Sequence, residues 1–118
     1  MPLFVRWAIA LAFTQMVEAP IYATAIGGAR PTRERWAIAL AASFITHPLV
    51  WFVIPELVST LAPGASHWSA IAVAETFAVT AEALWLALFG VRYALPLALL
   101  ANGASFTLGL FAYVFLAW

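Results

Sequence analysis

Four apolar stretches fill most of this chain, at residues 3–25, 36–58, 69–89 and 94–117. A helix needs about 20 mostly apolar residues to cross the hydrocarbon core of a bilayer, and each stretch is long enough. A soluble domain of this size carries roughly 25% charged residues; here 8% are charged and 66% are hydrophobic. Mean hydropathy is +1.02. So few charges do not cover a water-soluble surface, and in lipid the backbone must satisfy its own polar groups. The expected fold class is all-α: one transmembrane domain over residues 1–118, built as a multi-pass four-helix bundle.

The connections are "IGGARPTRER", "STLAPGASHW" and "GVRY". Gly and Pro punctuate the first two, as loops require, and the third is short enough to force an antiparallel hairpin. "ATA" at 23–25 resembles a leader-cleavage site, but a basic leading region is nearly absent, so the first stretch is read as helix one. Arg30, Arg33 and Arg35 lie in the first connection and Arg92 in the third, against Arg6 near the start. The positive-inside rule then predicts cytoplasmic first and third loops and external termini. Trp7, Trp36, Trp68 and Trp118 fall near span ends, where aromatic side chains anchor at the interface.

Two segment pairs point to an internal repeat. "FTQMVEA" (13–19) aligns with "FAVTAEA" (77–83), matching Phe13 with Phe77 and Glu18 with Glu82. "ASFIT" (42–46) aligns with "ASFTL" (104–108), and Arg30 falls on Arg92 in that same register. The pattern predicts a duplicated helical hairpin with its pseudo-two-fold axis along the membrane normal, which would set Glu18 opposite Glu82.

Polar residues inside the spans carry the functional signal. An acid at mid-membrane costs roughly 2.5–3.5 kcal/mol on insertion scales and normally faces the bundle interior. Glu75 and Glu82 share a face of helix three, and Thr14, Glu18 and Tyr22 form a line on helix one. Ser43 and His47 do the same on helix two, while Asn102, Ser105 and Gly109 form a small polar stripe on helix four. At about 1.5 Å per residue, Glu18, Glu82 and Asn102 should share one layer. His47 and Ser105 should lie a turn above it, and Glu75 higher still. Pro20 and Pro48 free the carbonyls of Met16 and Phe44 beside this set.

Two carboxylates in low dielectric share a proton, pair with an imidazole or hold a cation. The candidate ligand or proton site is therefore Glu18, His47, Glu82, Asn102, Glu75 and Ser105. Oxygen donors with one nitrogen also suit Zn²⁺, Mn²⁺ or Fe²⁺, with Glu18, His47 and Glu82 as the expected ligands. Glu56 is expected to snorkel to the interface, and Glu34 and His67 to lie in loops. There is no Cys, hence no disulfide and no thiolate metal site, and a net charge of zero gives no reason to expect nucleic acid. HExxH, paired-histidine zinc spacing, GxSxG and phosphate-loop motifs are absent.

The segments "EAPIY", "THPLVWF", "EALW" and "NGASF" together resemble small four-span bacterial membrane proteins with no assigned activity. The resemblance covers most of the chain and implies a bacterial cytoplasmic membrane, but no mechanism. The expected function is transport of a cation or small solute through a buried proton- or cation-binding site. Four short helices barely enclose a pathway, so a homo-oligomer, or other membrane proteins, is the expected partner within the lipid bilayer. Two alternatives stand beside it: a metal-dependent intramembrane enzyme acting on lipid or peptide, and a structural or accessory subunit of a membrane complex.

Overall fold

The computed structural model describes residues 1–116, and every apolar stretch in it is helical. Helix α1 spans Leu3–Ile26, α2 Thr32–Pro48, α3 Ile54–Leu61, α4 His67–Leu88 and α5 Ala94–Leu116. The helix starts are legible in local chemistry. Pro2 and Pro31 sit in extended conformation just before α1 and α2, where a missing N–H costs nothing. Ser66 caps α4, its Oγ accepting the Ser69 N–H at 3.1 Å. Gly27 (φ +86°) and Gly90 (φ +74°) supply the positive φ that ends α1 and α4. The predicted end of the fourth span at Ala117 and the interfacial anchor Trp118 lie outside the described residues.

α2 and α3 form one rod from Thr32 to Leu61, longer at both ends than the predicted 36–58. Its arginine-bearing first turn is helical because it can project beyond the hydrocarbon. The rod is interrupted by a π-helical turn at Leu49–Val53, where the Ile54 N–H bonds back to the Leu49 carbonyl. Pro48 and Pro55 bracket that turn. Pro55 lacks an N–H and crowds the Trp51 carbonyl inside the turn, which the widened turn relieves; the Phe44 carbonyl that Pro48 frees lies before it, in α2. Pro20, by contrast, leaves α1 continuous.

Packing runs as a ring. α1 lies against α2 and α5, and α4 lies against α5 and α2, so α1 and α4 stand at opposite corners. Both run in the same direction. Four helices of the ring, counting Thr32–Leu61 as one, are long and apolar enough to cross a membrane.

The two ends of the ring differ. Near the 27–31 and 89–93 turns the interior is dry: Ala19, Tyr22, Ala23, Ile38, Ala39, Ala42, Leu86 and Ala101 pack into one buried cluster. Alanine dominates because it lets helix backbones approach closely. Arg30 ties the two turns together, donating to the Phe89 carbonyl at 2.8 Å while pairing with Glu34. The opposite end, which carries the 62–66 turn, is more open, and a cavity enters the ring there. Large apolar side chains such as Phe44, Leu84 and Leu100 cover the outside of the ring.

Filling the alanine seam should be costly. Ala39→Leu is expected to lower stability by about 1–3 kcal/mol through overpacking, whereas Leu40→Ala on the outer face should change it by well under that. Unfolding midpoints in detergent, followed by circular dichroism, check both.

Candidate functional site

Glu18 and Glu82 come from opposite corners of the ring and meet at its centre. They are 1% and 2% exposed, and their carboxyl groups lie side by side, near enough to interact directly. Five side chains donate to them. Ser43 Oγ donates to Glu18 Oε1 at 2.7 Å, and Ser105 Oγ donates to Glu18 Oε2. Tyr22 Oη donates to Glu82 Oε1 at 2.6 Å, Asn102 Nδ2 to the same oxygen at 3.1 Å, and Thr46 Oγ1 to Glu82 Oε2 at 2.7 Å. Asn102 Nδ2 also reaches the Ala98 carbonyl at 2.9 Å and the Tyr22 hydroxyl at 3.3 Å. Every helix of the ring thus contributes, and every donor is a neutral hydroxyl or amide.

Helical spacing explains how the donors converge. Glu18 and Tyr22 are one turn apart on α1, Ser43 and Thr46 on α2, and Asn102 and Ser105 on α5. Glu18, Glu82, Asn102 and Ser105, all named from the sequence, are brought together. Thr46 was missed as a donor. The signal for it was available, since Ser43, Thr46 and His47 follow the i, i+3, i+4 pattern of one helix face.

His47 is not part of this cluster. Its ring stacks on Trp51 with centroids 6.0 Å apart, lies 6.3 Å from Trp7, and leaves Nδ1 buried without a partner. Thr46 takes the position facing Glu82 that the metal reading had given to His47. Among the described residues no group of three or more His, Asp or Glu side chains is placed to hold a metal ion. The expected set of Glu18, His47 and Glu82 is therefore not assembled, and hydroxyl and amide donors occupy the oxygens a metal would need. Trp7, expected as an interfacial anchor, is half-buried with its ring near those of His47 and Phe52.

A cavity of about 580 Å³ leads to the pair. Its floor is Glu18, Glu82, Asn102 and Ser105, its middle holds His47 and Glu75, and its mouth is framed by Arg6, His67, Trp68 and Tyr113. The mouth faces the more open end of the ring. Glu75 lies two turns above Glu82 on α4 and has none of the hydroxyl donors that surround the pair. Below the floor, Tyr22 and Leu86 are fully buried and the dry cluster begins. The passage is open at one end and sealed at the other.

Compared with protein-family models, curated proteins and solved structures, the chain matches none. Fold and site together define its class: an all-α bundle with four helices of membrane-spanning length, enclosing a hydrogen-bonded carboxyl pair at the end of a one-sided cavity.

Removing one donor isolates its contribution. Tyr22→Phe and Thr46→Val each strip Glu82 of a hydroxyl and should cost about 1–3 kcal/mol, the range for leaving a buried acceptor short of a partner. Reversible unfolding in mixed micelles measures this. The loss should shrink in a Glu82→Gln background, because the carboxyl acceptor is gone.

Proposed function

We propose that Glu18 and Glu82 form an exchange site that takes up a proton or another cation through the cavity, and that the protein moves a cation or small solute across a membrane. The observation that carries this reading is the meeting of two buried carboxyl groups whose five protein donors are all neutral. Two adjacent negative charges in low dielectric repel strongly, so a proton or an incoming cation must relieve them. The hydroxyl and amide shell suits a proton better than a divalent metal, which would have to displace those donors.

The sealed end gives the reading its mechanical form. A charge delivered down the cavity stops at Tyr22 and Leu86, so passage requires the dry cluster to open as the cavity end closes. The π turn supports such motion, because Leu49–Val53 lies on the cavity wall beside His47 and widened turns bend readily. Arginine at the 27–31 and 89–93 turns supports an orientation with these turns in the cytoplasm and the termini outside. The earlier resemblance supports a bacterial cytoplasmic membrane, with a homo-oligomer or another membrane protein completing the pathway.

A second reading is favoured by the same hydrogen bonds. Five donors joining all four helices of the ring also make a helix lock, as a structural subunit would need. The two readings part on proton exchange. Infrared difference spectra of the wild type between high and low pH should show a buried carboxyl band that Glu18→Gln or Glu82→Gln removes. The same variants should reduce proton flux in proteoliposomes under a pH gradient to the level of empty vesicles. If the band is absent and the variants change only the unfolding midpoint, the lock is the function.

Orientation has its own test, helped by the absence of native cysteine. With Ala29→Cys and Ala65→Cys introduced singly, a membrane-impermeant maleimide applied to intact cells should label only the second. Labelling of only the first would reverse the orientation.

A further inference from the structure

We propose that the cavity above the Glu18–Glu82 pair binds an amphipathic organic ammonium ion, an alkyl or aralkyl amine in its protonated form. This rests on the reading of the pair as a cation site and adds the chemical class of the solute.

Size is the first argument. About 580 Å³ is far more than a proton or a small ion with a few waters occupies, at roughly 30 Å³ per water. It falls within the range of roughly 300–1,000 Å³ for sites that enclose small organic molecules. Charge is the second. Glu75 stands on the cavity wall above the pair, without hydroxyl donors of its own. Among the described residues that line the cavity, Arg6 is the one arginine, and it stands at the mouth. An anion reaching the floor would meet three carboxyl groups.

The walls supply the third argument. Phe13, Trp51, Trp68 and Phe106 line the cavity, and aromatic faces attract ammonium groups while sheltering hydrocarbon. A protonated amine answers all three features: a small organic volume for the cavity, positive charge and N–H donors for the acids, and hydrocarbon for the aromatic wall. A lipid tail would fill the space and leave Glu75 unanswered.

The test is calorimetric titration of the full chain in detergent with phenylethylammonium, against phenylethanol as a neutral probe of equal size. The ammonium should bind once per chain and at least about ten-fold more tightly than the alcohol, with Glu75→Gln and Trp51→Ala each weakening it by about ten-fold. Glu75 bonds to none of the pair's donors, so its variant should keep the wild-type helical spectrum, and Trp51→Ala provides an independent check. Equal affinity for the two probes would overturn the proposal in favour of a greasy cleft. So would absence of binding, or binding unchanged in both variants. The infrared carboxyl signal separates this from the underlying reading. A pH-dependent band without ammonium binding removes only the present inference, whereas neither band nor binding removes both.

Discussion

Two carboxyl groups sit in the middle of an apolar bundle, at the closed end of a one-sided cavity, and the rest of the architecture answers to that. Each buried oxygen must find a donor, and a membrane helix offers few besides Ser, Thr, Tyr and Asn. The chain spends one or two such residues from each of α1, α2 and α5 on this single point, and α4 brings Glu82 itself. A net hydrogen bond contributes about 0.5–1.5 kcal/mol, so the cluster offsets part of the burial penalty and at the same time fixes the rotation of every helix about its own axis.

That fixed rotation produces the contrast between the two ends. With the polar faces converging, the residues a turn or more toward the 27–31 and 89–93 turns also face inward, and these are mostly alanines that allow tight closure. Toward the termini the inward positions are His47, Glu75 and bulky aromatics, which hold the helices apart. The π turn bracketed by Pro48 and Pro55 lies on this open half. Stiffness is therefore concentrated on one side of the carboxyl pair and deformability on the other.

Much of this was legible in the sequence because membrane insertion leaves few choices. Apolar length gave the spans, and the cost of burying acids gave the inward faces. A rise of about 1.5 Å per residue is enough to bring Glu18, Glu82 and Asn102 to one layer. What was not legible depended on single-residue rotation. His47 and Thr46 are neighbours on α2, and a small difference in helix rotation decides which one meets Glu82. Chemical prominence favoured the histidine, while packing gave the place to the threonine. The π turn was half legible: Pro48 marked a weak point on this helix, but the turn itself follows from Pro55, whose missing N–H is the one the Trp51 carbonyl inside the turn would need.

The register that matches Ser43 with Ser105 also matches His47 with Gly109 and Leu40 with Asn102. His47 and Gly109 both line the cavity, so the α2 wall carries an imidazole and the α5 wall a bare stretch of backbone. A pair of identical hairpins would be obliged to repeat every side chain twice. Joining two hairpins in one chain lifts that obligation. The chamber can then be handed, with a polar wall and a bare wall, and a guest inside it can distinguish left from right.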